Sequence, residues 1–278
     1  MAKYENVTVC GDSSTDVCRL DDGGPWKGDR QFVIALARGL ELIRSFHPNE
    51  RYLGVTELSH RIGIPKPSVA RLAGTLVKLG YLEFSAARGK YSLGLGVLSL
   101  GYAMLSNVGI RRVARPLLKE LATYSQAAVS IGERDRLSMV YIETVRSEAP
   151  IGLRRGIGAR LPIATTSMGR AYLAGLPEEE RSELIDQMRQ TTQTNWPRLQ
   201  AGIEQGLNDY AKWGFCTSFG EWEKDVNAVA VPFVDGDGTR MAFSCGGAAF
   251  LLSREKLEKD IGPRLAYLVR CINGGNHL

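Results

Sequence analysis

The sequence predicts an α+β chain of two domains, a small helical one carrying a β-hairpin and a larger one built on an antiparallel sheet. Three observations predict it. Residues 31–94 read as one domain of three short helices followed by two strand-like runs, while the chain beyond residue 124 alternates strands, tight turns and helices. Positive charge is concentrated: residues 31–106 hold 9 Lys/Arg against 4 Asp/Glu, whereas residues 107–278 hold 22 against 20. With 278 residues, 44% of them hydrophobic, the chain is long enough for two cores.

Residues 1–30 are polar, with 4 Lys/Arg against 6 Asp/Glu, and are expected to form a disordered tail. A first amphipathic helix is read from Phe32, Leu36, Leu40 and Ile43, and His47-Pro48-Asn49-Glu50 ends it. A short second helix follows Val55, with Thr56 as N-cap, Glu57 at the positive end of its dipole, Leu58 and Ile62 on one face, and Gly63 as its stop. Ile64-Pro65-Lys66 turns the chain. Pro67 suits the first turn of a third helix, where a missing N–H costs nothing. Val69, Leu72, Leu76 and Leu79 form its apolar stripe, with Lys66, Ser68, Arg71, Thr75 and Lys78 off it. Tyr81–Phe84 and Lys90–Leu93 flank a basic tip as a β-hairpin.

Three helices and a hairpin in this order form a winged helix-turn-helix. Its third helix fits a major groove and its hairpin reaches neighbouring phosphates, so the localised positive charge points to double-stranded DNA. A solvated basic face on a small helical subdomain is the plainer alternative. Residues 94–106 carry no charge. A helix of that composition either packs on a second copy of itself or is buried by its own chain, and the segment 95–109 is read as a linker helix.

The second domain, 110–278, opens with a helix through Val113, Leu117 and Leu121. Strands follow at Ala127–Glu133, Ser138–Thr144, Phe215–Phe219, Val226–Val234 and Met241–Cys245, with Asp235-Gly236-Asp237-Gly238 as the last hairpin turn. Helices are expected at Ser167–Leu176, Glu178–Arg189, Arg198–Trp213 and Ser253–Asn273. Short turns between adjacent strands imply an antiparallel sheet with helices packed on it.

An enzyme is disfavoured. The five cysteines form no CxxC pair, and of the three histidines His47 and His60 fall in the first domain and His277 in the terminal tail. Cys216 or Cys245 as nucleophile would therefore lack a base, and neither a Ser/His/Asp set nor a phosphate-binding glycine motif is present. No catalytic residue, metal site or cofactor is expected. Scattered thiols, no signal peptide and no membrane-length apolar run suit a cytoplasmic protein.

The stretch Ile64-Pro65-Lys66-Pro67-Ser68-Val69-Ala70-Arg71-Leu72, followed by Thr75-Leu76, Leu79-Gly80-Tyr81-Leu82 and Tyr91-Ser92-Leu93-Gly94, resembles the DNA-binding domain of the isocitrate lyase regulator (IclR) family. Leu161-Pro162, Met168-Gly169-Arg170-Ala171-Tyr172-Leu173-Ala174, Gly214-Phe215, Glu221, Ala230-Val231-Pro232 and Ser244 to Gly246 resemble that family's second domain. The resemblance covers residues 31–273. It implies a linker helix used in dimerisation, a GAF/profilin-like effector domain, and a dimer or dimer of dimers acting as repressor or activator on a palindrome-like operator.

The resemblance carries base reading to Lys66, Pro67, Ser68, Arg71 and Thr75, with Arg88 and Lys90 of the wing on phosphates. It puts the Ser167 and Met168 amides, with Gly169, before a small-molecule effector at a helix N-terminus, which suits a carboxylate. Ser218, Phe219, Ala228, Phe243 and Cys245 would complete the pocket. Relatives that bind very small keto acids have polar side chains where Ala228, Phe243 and Cys245 stand, so a drier wall and a larger or more apolar ligand such as an aromatic acid are expected. Plain core is the alternative for Ala228 and Phe243.

Overall fold

The computed structural model describes residues 29–48, 50–147, 155–192 and 195–275. Most of the expected tail, Cys10, Cys18 and His277 lie outside the described residues. Apart from Gln190–Thr192, the chain divides between Asn107 and Val108 into two units.

In the first unit α1 (Ile34–Arg44), α2 (Val55–Ile62) and α3 (Lys66–Lys78) precede the hairpin β1 (Leu82–Ser85) and β2 (Lys90–Leu93). Their core is Leu42, Leu53, Leu58, Ile62, Ile64, Val69, Ala73, Leu82 and Tyr91. The face of α1 differs from the expected one. Gly39, Glu41 and Leu42 are buried, while Leu36 and Leu40 are exposed. Apolar residues surround this helix, so its periodicity does not single out the inward stripe. The N-cap of α2 is Gly54 rather than Thr56: the Glu57 carboxylate reaches back to accept the Gly54 N–H at 2.6 Å. Gly63 closes α2 in the left-handed region (φ 71°). Leu79 lies past the end of α3 and is exposed, so the buried stripe there is Val69 and Ala73, with Leu72 and Leu76 half-buried. Arg61 forks onto Glu50 at 2.7 Å and donates to the Ser45 carbonyl at 2.6 Å, fastening α2 to the end of α1.

Helix α4 (Leu95–Ser106) follows the hairpin and buries none of its residues. Leu95, Leu98, Leu100, Tyr102 and Met104 are all exposed.

The second unit starts with α5 (Gly109–Ser125), whose buried side is Ile110, Ala114, Leu118, Leu121, Ala122 and Ser125. Val113 is exposed, so this stripe also departs from the expected register. One antiparallel sheet in the order β5-β4-β3-β8-β7-β6 is formed by β3 (Ala128–Asp135), β4 (Ser138–Arg146), β5 (Arg160–Pro162), β6 (Cys216–Phe219), β7 (Val226–Val234) and β8 (Arg240–Ala248). A bulge separates Ile131 from Gly132. Helices α6 (Ser167–Ala174), α7 (Glu178–Thr191) and α8 (Trp196–Trp213) lie between β5 and β6 in sequence. The chain closes with α9 (Arg254–Lys256), a π-helical turn (Leu257–Ile261) and α10 (Gly262–Gly275).

The sheet is covered on both faces. Met139, Tyr141, Cys216, Ala230 and Ala242 join Met168, Ala171 and Leu173 of α6 in one core. On the other face α5 is anchored by Glu143, whose side chain is 2% exposed and pairs with Arg111 (3.3 Å) and Arg115 (2.9 Å).

Candidate nucleic-acid interface and effector site

Helix α3 starts after Pro65, whose extended ψ of 142° turns the chain into it. Ser59 of α2 donates to the Ile64 carbonyl at 2.6 Å and holds that turn. Burial of Val69 and Ala73 on one side leaves Lys66, Pro67, Arg71 and Thr75 exposed on the other, with Ser68 half-buried. Pro67, Arg71 and Thr75 are spaced by four, so they form a single row. Thr75 spends its hydroxyl hydrogen on the Arg71 carbonyl at 3.0 Å, which leaves it acceptor capacity.

The wing is wider than a hairpin. Leu53 exchanges two backbone hydrogen bonds with Tyr91, adding one more rung beside β2. Arg88 is exposed at the turn, and its guanidinium stands 4.8 Å from the Tyr52 ring centroid. Lys90 is engaged differently: its ammonium pairs with Glu57 at 3.1 Å.

In the second unit Thr166 caps α6, accepting the Gly169 N–H at 3.1 Å. A methyl group on Gly169 would meet the Ile163 carbonyl oxygen at 2.2 Å, so only glycine allows this approach. The amides of Ser167 and Met168, ahead of the first intrahelical bond, have no hydrogen-bond partner among the described residues. Just before them the buried Thr165 hydroxyl likewise has none among the described residues.

Arg170 fixes this helix start. Its side chain, 2% exposed, donates to the carbonyls of Ala164 and Thr217, each at 3.1 Å, and forks onto the Glu221 carboxylate. Gly202 and Gly206 of α8 lie where any Cβ would strike the Arg170 side chain, at 2.2 and 2.7 Å. The family resemblance contains Arg170 and Glu221 but gives them no role; the paired glycines one helical turn apart are the sequence signal for a side chain laid across α8.

Strand alternation divides the expected effector residues. Ser218, Ala228 and Gly246 are paired in one row, and Ser218 donates to the Thr165 carbonyl at 2.9 Å, so this row faces α6. The next row on that face holds Ala230, Ser244, Ser130 and Thr144, with Ser130 bonded to Thr144 at 2.9 Å. Tyr141 lies on the same face, buried in the core beneath α6, and burial pushes its hydroxyl up to about 12. Phe243 and Cys245 turn to the opposite face. There the Cys245 thiol meets the Ser125 hydroxyl of α5 at 3.5 Å, and Phe243 packs edge-on against Phe233, ring centroids 5.2 Å apart. Phe219 also turns away and stacks under the Arg254 guanidinium at 3.8 Å. The wall beneath α6 is therefore lined by hydroxyls, where the sequence reading expected a dry aromatic one.

Among the described residues no three His, Cys, Asp or Glu side chains converge as a metal site, and no helix is long and apolar enough to cross a membrane.

Two family models match the chain: the IclR helix-turn-helix domain over residues 35–86 and the bacterial transcriptional regulator IclR C-terminal domain over residues 102–272. The chain belongs to the IclR family. It is accordingly a transcription regulator rather than an enzyme, with a DNA-binding helix-turn-helix and a C-terminal effector domain. Among its IclR relatives, the HTH-type transcriptional regulator TsaQ1/TsaQ2 of Comamonas testosteroni is 33% identical, the match covering 86% of this chain and 87% of the relative. The Pca regulon regulatory protein of Pseudomonas putida is 33% identical over 86% and 82%. The crystal structure of an IclR-family transcriptional regulator from Brucella abortus, 50% identical, superposes with a TM-score of 0.85 over 92% of this chain and 97% of that one.

Proposed function

We propose that this regulator reads operator DNA as a homodimer through Lys66, Pro67, Ser68, Arg71 and Thr75, and that a carboxylic-acid effector bound at the start of α6 controls that binding. The observation that carries the DNA reading is the exposed row Pro67-Arg71-Thr75 with Lys66 at the helix start, on a helix whose other side is core. Arg71 offers the fork that suits guanine O6 and N7, Ser68 can donate or accept, and Thr75, its hydrogen spent on the Arg71 carbonyl, accepts from a base amino group. The exposed apolar side chains of α4 support a second copy of the chain as their cover, and two-fold symmetry gives a palindrome-like pair of half-sites.

For the effector, the support is the combination of two unpartnered amides at Ser167 and Met168 with the orphan Thr165 hydroxyl, three donors that one carboxylate satisfies. The hydroxyls of Ser218, Ser244 and Tyr141 favour an acid that carries a further hydrogen-bonding group, and Ala228 gives it an apolar side.

The test titrates the full chain with 4-hydroxybenzoate, pyruvate and the uncharged 4-hydroxybenzamide. The reading expects an acid to bind and to change affinity for DNA, with Thr165→Val and Ser244→Ala weakening it and Phe243→Leu leaving it unchanged. Equal binding of amide and acid overturns it.

A further inference from the structure

Two guanidinium groups share one aromatic ring at the root of the wing. The double hydrogen bond between Leu53 and Tyr91, at 2.9 and 2.8 Å, holds residues 51–53 against β2. Leu53 is buried beneath the wing, so the adjacent Tyr52 turns to the opposite, outer side. Arg88 stands 4.8 Å from the Tyr52 ring centroid and Arg51 stands 5.2 Å from it, both within cation–π range. Both arginines are exposed, and among the described residues neither pairs with a carboxylate. Lys90 is the contrasting case. Its partner Glu57 also accepts the Gly54 N–H, which keeps that carboxylate below its ordinary range and ionised, so the Lys90 charge is balanced inside the unit.

Two like charges gathered at one ring, with the neighbouring Glu50 carboxylate committed to Arg61, repel; a bridging anion turns that arrangement favourable. We propose that Arg51, Tyr52 and Arg88 form a phosphate-binding unit on the wing, with both guanidiniums on the DNA backbone and Tyr52 as the positioning residue that presents them. Arg51, which the sequence reading does not select, replaces Lys90 as the second cation of the wing. The inference rests on the reading that the first unit binds duplex DNA. Phosphate contacts carry no base information, so the unit strengthens binding to every sequence alike.

The experiment measures binding of the full chain to a fluorescent random-sequence duplex across a salt series. Removing one phosphate contact lowers the salt slope by about 1 per engaged protomer and the affinity by about tenfold near ~0.1 M salt. Arg51→Gln and Arg88→Gln are each expected to show this, and Lys90→Gln to leave the slope near that of the wild type. Tyr52→Ala is expected to lower the slope with both arginines retained, and Tyr52→Phe to restore it, since the ring and not the hydroxyl does the positioning. Thermal melting of each variant separates misfolding from lost contact. A normal slope in folded Arg51→Gln, while Arg71→Ala still weakens binding to a wild-type-selected duplex, overturns the inference and leaves the DNA reading standing. Failure of Tyr52→Phe to rescue overturns the platform role. A wild-type chain with no salt-dependent binding overturns both.

Discussion

Glu221→Ala removes the carboxylate that faces the buried Arg170 guanidinium and leaves that charge on two carbonyls alone. Breaking a buried ion pair by deleting one partner costs about 3–5 kcal/mol. Glu221 is itself 35% exposed, so water can approach the vacated side and the cost falls to about 2–3 kcal/mol. In a domain of this size each kcal/mol lowers the melting midpoint by about 2–4 °C, which gives a drop of about 4–12 °C. The double variant Arg170→Met/Glu221→Leu replaces the pair by apolar groups and should recover most of the loss, because no charge is then stranded. Calorimetry of the full chain reads both. A midpoint for Glu221→Ala within about 1 °C of the wild type, or a double variant less stable than the single one, refutes the account of Arg170 as the fastener of the α6 start.

Three further outcomes are expected. Glu50 is held below its ordinary value of 4.5 chiefly by its hydrogen bonds from Arg61, and Glu57 by the Gly54 N–H. Depressed carboxyls stabilise the fold above 4.5 and lose that contribution as pH falls through their lowered values, so acid unfolding of the first unit should be less steep in Glu50→Gln/Glu57→Gln, as followed by circular dichroism. Burial pushes the Cys245 thiol up to about 11 and the Cys216 thiol higher still, whereas Cys271 is exposed. In a Cys10→Ser/Cys18→Ser chain a neutral-pH thiol reagent should therefore label Cys271 alone, and rapid labelling at either buried position contradicts the packing. If the proposed dimer is sealed by α4, Leu98→Glu removes an exposed leucine twice from its seam, worth about 1.5 kcal/mol each time, so sedimentation should show dimer affinity weakened by about a hundredfold.

Punctuation made most of the fold legible. Gly63, the Pro65–Pro67 turn and Asp235-Gly236-Asp237-Gly238 dictate backbone conformations, so helix ends and the last hairpin are readable from residue type. Faces were harder. Strand β8 is buried on both sides, so Met241 through Cys245 show no polar–apolar alternation by which to orient them, and a slip of one residue exchanges Ser244 for Phe243 and Cys245 at the wall beneath α6. In α1 and α5 the outward sides also carry apolar residues, Leu36, Leu40 and Val113, and hydrophobicity cannot separate a stripe meant for the chain's own core from one left for a partner. Arg170 was illegible for another reason: its burial depends on Glu221 and on two glycines distant in sequence, and such charge balance appears once the chain is folded.

The measurement that bears most directly on the central claim, that the exposed row of α3 reads DNA, compares wild-type and Arg71→Ala chains on a duplex selected by the wild type from a random pool. The account predicts a loss of about ten- to a hundredfold on the selected duplex, with relaxed preference at one base position in each half-site. Undiminished affinity with the same base preference in folded Arg71→Ala would contradict it.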